Sequence, residues 1–326
     1  MSPDPAHSDI STTSPGPSPA PPTPSAVHKV FMGPDGIRSG TRILMVLLFF
    51  LAIARIAQRV VLENQFILQH FPSLKPGPSQ ELTPGFGILN EGTTFLCFLF
   101  AVFLMTLIER KSFSEYGLPG RGFLGKSFWQ GVPYGFALLS LLLVGIFAFH
   151  GFTLGSIALG RDQALRYGFL YAIMFLLVGF FEEFSFRGYL QATLGSGIGF
   201  WPAAIALSIL FGVLHLGNSG EAVFGAVMAG TFGIVAAFSL ARTGTIWFAI
   251  GMHASWDWAE TYFYGVPDSG LLAKGHLFSA SFHGPNWLTG GSVGPEGSYF
   301  ALLVLLIGAI GIHFLFPAKK NSARAR

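Results

Sequence analysis

Three short groups of polar residues interrupt otherwise apolar segments of the sequence. They are Glu182-Glu183-x-x-x-Arg187, Phe211-x-x-x-His215 and His253-x-x-x-Asp257. A carboxylate can take a proton from water, and imidazoles can hold a metal ion or stabilise a developing oxyanion. The combination of one carboxylate with two histidines therefore indicates hydrolytic chemistry.

Helical spacing gives each group a definite geometry. Consecutive residues of an α-helix lie about 100° apart, so Glu183 and Arg187 share a face and can neutralise each other. Glu182 points away from Arg187 and is the carboxylate left to act as a base. His253 and Asp257 also share a face. They can bind one metal ion together, or Asp257 can orient the imidazole of His253.

Each group also has a purely structural interpretation. The Glu–Arg cluster could simply end a helix at the membrane surface, and His215 could be a hydrogen-bonded packing residue. His253 and Asp257 could form a hydrogen bond between helices. Because ionisable side chains inside a membrane are energetically costly, three such groups on three segments favour a functional interpretation.

The whole chain has the composition of a membrane protein. Of its 326 residues, 11% are charged, 51% are hydrophobic and 15% are aromatic, whereas ordinary soluble domains carry roughly 25% charged residues. This composition excludes a disordered chain, and the single cysteine, Cys97, excludes an intrachain disulfide. No cluster of Lys and Arg indicates binding to nucleic acid.

Eight apolar segments are candidate membrane spans, each close to the length of about 20 residues that a spanning helix needs. They are 42–62, 89–108, 128–150, 165–194, 200–217, 222–241, 245–263 and 298–316. We therefore predict an all-α, polytopic membrane helix bundle. Placing the N-terminus inside puts 13 of the 19 Lys and Arg on the inner side and five on the outer side. Both termini are thus predicted to be cytoplasmic.

The three polar groups can meet only if the fourth span continues through its charged motif. This span runs inward and the fifth runs outward, so a helix ending at Glu182 would leave Glu182 and His215 at opposite surfaces. We predict instead that the helix passes Arg187 and continues to about Leu194, where Gly195-Ser-Gly supplies a stop. The three groups would then lie at a similar depth.

The motifs, in this order on separate membrane helices, resemble the three signatures of the CPBP family. This family comprises the CAAX proteases and bacteriocin-processing proteins and is also called the Abi family. The motif residues cover 182–257, and the surrounding helices extend the resemblance to about 90–316. The resemblance implies an intramembrane endopeptidase with eight helices, similar to the type II CAAX prenyl protease.

The resemblance also assigns roles to individual residues. It implies a catalytic set of four: Glu182, which activates water, with His215, His253 and Asp257. Three further motif residues are expected to support this set: Glu183, Arg187 and Phe211. The family accepts Asn or Asp at the last position. An ionised Asp only accepts hydrogen bonds, so Asp257 suits metal binding or orientation of a histidine better than donation to an oxyanion.

The sequence leaves the use of a metal open. Zinc accepts imidazole and carboxylate ligands, so a divalent ion could be held by Glu182, His215, His253 and Asp257. No His-Glu-x-x-His motif is present, and a metal-free reaction with Glu182 as the base is the alternative. No Gly-x-Ser-x-Gly motif indicates a nucleophilic serine, and no organic cofactor is expected.

Two other functions could use the same polar groups. A non-catalytic immunity or scaffold protein would need them only to hold the bundle together, so Glu182→Gln would preserve its function. A proton-coupled transporter would use paired carboxylates and histidines, but no internal repeat indicates that architecture. We predict the endopeptidase, with the lipid bilayer and a peptide or protein substrate, lipidated or not, as its partners.

The chain divides into a bundle and two tails. The predicted segments are a disordered, Pro-rich N-terminal tail at 1–40, a helix bundle at 41–316 and a basic C-terminal tail at 317–326. Within the bundle, residues 165–262 form the protease signature region, and the Gly- and Pro-rich residues 263–297 form a long loop. The N-terminus has no signal-peptide pattern. A multi-pass protein of a bacterial inner membrane is therefore expected.

Overall fold

The computed structural model describes residues 31–33, 36–77, 81–217 and 223–317. Within these residues the α-helices are α1 Ser39–Ala57, α2 Gln65–His70, α3 Pro84–Glu109, α4 Lys126–Ala148, α5 Arg161–Glu183, α6 Gln191–Ile198, α7 Phe200–His215, α8 Val223–Thr243, α9 Trp247–Trp258, α10 Asn286–Thr289 and α11 Tyr299–Leu315. The π-helical segments are Gln58–Leu62, Phe184–Leu190 and Ala259–Tyr264. The two-residue strands are β1 Met32–Gly33, β2 Gly36–Ile37, β3 Glu81–Leu82, β4 Phe152–Thr153, β5 Leu272–Ala273 and β6 Ser281–Phe282.

Each of the eight predicted spans corresponds to a helix in the structure. Within the described ranges, five helices are long and apolar enough to cross a membrane: Ser39–Leu62, Pro84–Glu109, Lys126–Ala148, Arg161–Ile198 and Val223–Thr243. Helices α7 and α11 are apolar but shorter, and α9 is extended by the π-helical segment that follows it. The predicted all-α polytopic membrane bundle is confirmed.

The fourth span continues through its charged motif, as predicted. Helix α5, the π-helical segment Phe184–Leu190 and α6 form one helix of 38 residues, from Arg161 to Ile198. The predicted stop at Gly195 is wrong by a few residues, because Gly195 is still helical. The chain turns at Gly199, whose φ of +90° is readily adopted only by glycine.

Helices α4 and α9 pack against each other more closely than ordinary side chains would allow. Gly131 and Gly135 of α4 face the backbone of α9, and a Cβ atom at Gly135 would clash with the carbonyl oxygen of Met252. In the same way, a Cβ atom at Gly251 would clash with the carbonyl oxygen of Phe128. This contact fixes the helix that carries His253 and Asp257.

Apolar clusters surround the charged motif on both sides. On one side Phe184 and Tyr189 are fully buried against Phe98 and Met105 of α3. On the other side, apolar residues of α9 join one cluster with Leu139 and its neighbours in α4 and with residues of α8 and α11. The polar groups of α5 and α9 therefore lie in a largely apolar interior.

The predicted loop at 263–297 contains no long helix and is attached to the bundle at two places. Strand β5 pairs in parallel with β3, which precedes α3, and β6 pairs antiparallel with β4, which follows α4. The hydroxyl of Tyr171 donates to the carbonyl oxygens of Leu82 and Lys274, at 2.8 and 2.9 Å. The loop thus has a defined course across one end of the bundle.

The described residues before Ser39 belong to one unit of the chain, and those from Ser39 onward belong to another. In the first unit, β1 and β2 form an antiparallel pair in which Met32 lies opposite Ile37. Most of the predicted N-terminal tail and nearly all of the predicted C-terminal tail, residues 1–30 and 318–326, lie outside the described residues.

Candidate functional site

The paired glutamates lie at the point where helix α5 changes its winding. Glu183 is the last residue of α5, and the π-helical segment Phe184–Leu190 begins immediately after it. Single turns of π-helix inside α-helices occur frequently at functional sites. The side chain of Glu183 is completely buried, whereas that of Glu182 keeps 24% of its surface exposed. The two neighbouring carboxylates therefore have different surroundings.

Glu183, Arg187 and His253 form a buried group, here called the ion triad. The Oε1 atom of Glu183 accepts hydrogen bonds from Nη1 of Arg187 at 3.2 Å and from Nδ1 of His253 at 2.7 Å. The guanidinium of Arg187 also lies 4.3 Å from the ring centre of Phe211, in a cation–π contact. The predicted Glu183–Arg187 pair is present, and it extends to a second helix.

The other ring nitrogen of His253 faces two more carboxylates. Its Nε2 lies 3.6 Å from Oε2 of Glu182 and 3.6 Å from Oδ2 of Asp257. These separations are longer than direct hydrogen bonds and are compatible with a shared water molecule. Sequence spacing offered Asp257 as the residue that orients His253. In the structure, the orienting hydrogen bond comes from Glu183.

His215 lies at the end of helix α7, on the same cavity as Glu182 and His253. Its Nδ1–H donates to the carbonyl oxygen of Phe211 at 2.8 Å. Each histidine is thus held through Nδ1 and has Nε2 left for other partners. The structure brings Glu182, His253 and Asp257 into immediate proximity and places His215 elsewhere on the wall of that cavity.

The cavity has a volume of about 240 Å³. Its ionisable lining residues are Glu91, Glu182, His215, His253, Asp257, Asp268 and Glu296. Apolar side chains, among them Phe175, Val178 and Phe211, complete the wall, and no Lys or Arg of the described residues lines it. The cavity is therefore a polar, acidic chamber inside an apolar bundle.

Sequence reasoning missed three of these acidic residues. Glu91 is a carboxylate within the predicted second span, and its position inside an apolar segment was a usable signal. Asp268 and Glu296 lie in the loop after α9, where no periodicity indicates their position. They reach the cavity only because the loop is attached to β3 and β4.

A second acidic group, here called the loop cluster, consists of Glu260, Asp268 and Glu296. One ligand atom of each residue lies within 4.8 Å of those of the other two. Burial raises the pKa of the Asp268 carboxyl to about 7, and the nearby Glu296 carboxylate adds to this rise. Burial likewise raises the pKa of Glu296. The three carboxylates therefore disfavour one another's charge.

The predicted metal ligands have suitable chemistry but do not converge. Two imidazoles and two carboxylates are a set that zinc accepts. In the part of the chain that the structure describes, however, only the loop cluster forms a group of three whose ligand atoms are mutually within 4.8 Å. Glu182 and Asp257 each lie 3.6 Å from Nε2 of His253, but the three are not all mutually within this distance, so this arrangement does not fit a closed metal site.

Comparison with known proteins supports the resemblance drawn from the motifs. Residues 164–259 match the family described as type II CAAX prenyl endopeptidase Rce1-like. The uncharacterized protein YyaK of Bacillus subtilis (strain 168) is 29% identical over 207 residues. This region covers 60% of the present chain and 64% of that relative, so the chain spans less than two thirds of the relative's length. No solved structure matches.

The matched region contains all three motifs, from Glu182 to Asp257. The predicted resemblance to CAAX proteases is therefore confirmed. Together with the apolar helices, it supports an integral, multi-pass membrane protein.

Proposed function

We propose that this protein is an intramembrane endopeptidase in which Glu182 activates the water that hydrolyses a peptide bond. The observation that carries the proposal is the 3.6 Å approach of the Glu182 carboxylate to Nε2 of His253 within one acidic cavity. A base, two imidazoles and a water-sized space inside an apolar bundle are the components that hydrolysis requires.

In the first step, the Glu182 carboxylate accepts a proton from a water molecule in the cavity. The oxygen of that water attacks the carbonyl carbon of the scissile peptide bond, and the carbonyl oxygen becomes an oxyanion. Glu182 suits this role better than Glu183, because Glu183 is fully buried and already binds Arg187 and His253.

His253 and His215 are the candidates for stabilising the oxyanion. The carboxylates around His253 complement the positive charge of its doubly protonated form. In that form, Nε2 of His253 carries a proton and can donate it in a hydrogen bond to the oxyanion. The Nδ1–H of His215 is already bonded to the carbonyl oxygen of Phe211. The free nitrogen of His215, Nε2, can therefore donate to the oxyanion when it carries a proton. The intermediate then collapses, and the proton held by Glu182 passes to the leaving amine. The C–N bond breaks in this step, the products are a carboxylic acid and an amine, and Glu182 is a carboxylate again.

Glu183 and Arg187 support this chemistry by position. Glu183 fixes the ring of His253 through Nδ1, and Arg187 compensates the charge of Glu183. Asp257 lies on the other side of the ring and contributes negative charge near Nε2. We assign these three residues to positioning and charge balance.

The test is cleavage of a reporter peptide by purified protein in lipid nanodiscs. Glu182→Gln should reduce the cleavage rate by about 10²- to 10⁴-fold, the usual contribution of a general base. Its thermal stability should change little, because the side chain is partly exposed. Glu63→Gln is the matched control, since Glu63 pairs with Arg59 at an exposed position.

The outcome for Glu182→Gln distinguishes the proposal from its alternatives. Full cleavage by this variant would remove Glu182 from the mechanism. A wild-type protein that cleaves no peptide, together with a Glu182→Gln variant that keeps the cellular function, would favour a non-catalytic membrane protein. Adding a chelator during the wild-type assay tests whether a metal contributes to the rate.

We propose a membrane-associated peptide segment as the substrate, because the cavity joins acidic groups to an apolar wall. Two reporter peptides of the same sequence, one prenylated and one not, test whether a lipid is recognised. A KM that is lower for the prenylated peptide would support recognition of the lipid. Equal kinetic constants would show that the lipid is not required.

We further propose that the protein lies in the inner membrane of a bacterium with both termini in the cytoplasm. The excess of Lys and Arg on one side of the predicted spans supports this orientation, and the relative in Bacillus subtilis supports a bacterial location. Reporter fusions at either end of the chain should be active on the cytoplasmic side. Reporter activity on the opposite side of the membrane would show that the topology is the reverse of the proposed one.

A further inference from the structure

The loop cluster lies beyond the proposed catalytic residues, where the chain leaves helix α9. Glu260 belongs to the π-helical segment after α9, Asp268 follows it in the loop, and Glu296 lies shortly before α11. Asp257, one turn before Glu260, adds a fourth carboxylate nearby. Several acidic side chains from separate segments are thus concentrated at one place.

No Lys or Arg balances this charge within the described residues, and the nearby His253 belongs to the ion triad, where it already binds Glu183. No Lys or Arg there forms an ion pair with Glu260, Asp268 or Glu296. The lysine of the loop, Lys274, lies 3.7 Å from Glu81 instead. Buried charges in proteins are normally paired or coordinate metal ions, so the cluster requires either protons or a cation.

Glu260 provides a second, independent observation. The residue is completely buried, and its Oε2 accepts a hydrogen bond from Nε1 of Trp256 at 2.9 Å. Its other oxygen, Oε1, is buried without a hydrogen-bond partner. A buried carboxylate oxygen without a partner is costly, and a cation held among the three carboxylates would satisfy it.

The carboxylates are also held in fixed orientations. Trp256 donates through the same Nε1 to Glu296 at 3.1 Å, and the Thr261 hydroxyl donates to Asp268 at 2.7 Å. The Ser269 hydroxyl donates to Glu296 at 3.2 Å. Such outer contacts orient the ligands of metal sites and tune their affinity.

We propose that Glu260, Asp268 and Glu296 bind one divalent cation of the hard, oxygen-preferring class, of which Ca²⁺ is the probe. Carboxylate oxygens without imidazole or thiolate select Ca²⁺, Mg²⁺ or Mn²⁺ over softer metals. The ion joins the end of helix α9 to both ends of the loop and so fastens the loop over the cavity. This site uses none of the proposed catalytic residues, although Asp268 and Glu296 line the same cavity as Glu182, and it does not depend on the proposed reaction.

The first test measures Ca²⁺ binding to the full-length protein in detergent after treatment with EDTA and dialysis. Isothermal titration calorimetry should give one Ca²⁺ per chain, and the thermal midpoint should rise saturably with Ca²⁺. Glu260→Gln and Glu296→Gln should each weaken binding by about tenfold or more, because affinity at such sites follows the number of charged ligands. Glu63→Gln and Glu182→Gln should keep the wild-type affinity.

Three outcomes would overturn the proposal. The first is an absence of saturable binding of Ca²⁺, Mg²⁺ and Mn²⁺ to the wild-type protein. The second is an unchanged affinity in Glu296→Gln, which remains informative if Glu260→Gln does not fold, because Glu296 is only partly buried. The third is loss of binding in Glu182→Gln with binding retained in Glu296→Gln, which would place the ion at Glu182 and not at the loop cluster.

Limited proteolysis gives a second readout that does not depend on activity. Ca²⁺ should slow cleavage within residues 265–298 of the wild-type protein and have a smaller effect in Glu296→Gln. Equal cleavage rates with and without Ca²⁺ in the wild-type protein would contradict the proposed fastening of the loop.

Discussion

The ion triad and the loop cluster both reach the same cavity, the triad through His253 and the cluster through Asp268 and Glu296, but they balance their charges differently. In the triad, the fully buried Glu183 lies between Arg187 and His253. In the loop cluster, three carboxylates approach one another, and no basic partner is found within the described residues. Each region includes a buried carboxylate oxygen without a hydrogen bond, on Glu183 and on Glu260.

The difference shows that burial alone does not identify a ligand site. Glu183 is balanced within the protein, and its contacts serve to hold a histidine in place. Glu260 is equally buried, yet its nearest charged neighbours repel it. A buried charge that the chain neutralises itself has a positioning role, whereas one that the chain leaves unbalanced indicates a ligand from outside.

The largest effect is expected when the triad loses its charge balance. Glu183→Gln should lower the free energy of unfolding by about 3–5 kcal/mol, because it leaves Arg187 buried without a counter-charge. The measurement is denaturant-induced unfolding in detergent micelles. Glu63→Gln, which removes an exposed ion pair with Arg59, should change the stability by less than about 1 kcal/mol. Equal stabilities for the two variants would contradict the buried pair.

The next effect concerns the support of the triad. Gly135→Ala should destabilise the protein by about 1–3 kcal/mol, because the new methyl group clashes with the backbone of α9. Peptide cleavage should fall more than Ca²⁺ affinity, since α9 shifts near His253. Gly120→Ala is the control, because nothing lies near its Cβ position. A larger fall in Ca²⁺ affinity than in cleavage would contradict the expectation that Gly135 supports the ion triad more than the loop cluster.

A third variant tests the loop cluster alone. Trp256→Phe keeps an aromatic ring but removes the N–H group that donates hydrogen bonds to Glu260 and Glu296. The protein should lose about 1–2 kcal/mol of stability and bind Ca²⁺ more weakly. In Trp258→Phe, which loses a hydrogen bond to the carbonyl oxygen of Gly168, Ca²⁺ binding should persist. Equal Ca²⁺ affinities in the two variants would contradict the role of Trp256.

The smallest effect concerns the attachment of the loop. Tyr171→Phe removes the hydroxyl that bonds to Leu82 and Lys274, at a cost of about 1 kcal/mol. Proteolysis within the loop should become faster. Tyr134→Phe loses a hydrogen bond to Gly308 elsewhere in the bundle, and the loop should keep its wild-type resistance. A loop equally sensitive in both variants would show that Tyr171 does not hold it.

The bundle and the Glu183–Arg187 pair could be predicted from sequence because both depend on local rules. The lengths of the apolar segments predicted the spans, and a separation of four residues predicted the contact between Glu183 and Arg187. The requirement that Glu182 and His215 lie at one depth gave the continuous fourth helix. These arguments need only the geometry of a helix and the thickness of a membrane.

The remaining contacts depend on tertiary structure. The bond from His253 to Glu183 joins two helices whose relative rotation has no signature in either segment. Glu260 lies in a π-helical segment, where the ordinary helical phase no longer applies. Asp268 and Glu296 are brought to the cavity by strand pairs that join distant parts of the chain. Periodicity therefore could not predict the loop cluster.

The pairing of β3 with β5 has a consequence for the order of folding. Residues Glu81–Leu82 emerge from the ribosome long before Leu272–Ala273, their partners. Six predicted spans must be inserted between the two strands, and contacts between such distant segments form late because loop closure opposes them. The loop can therefore dock only when the seventh span is in place. Docking of the loop would thus mark the completion of the bundle during biosynthesis, and chains arrested earlier would expose β3 and β4 without partners.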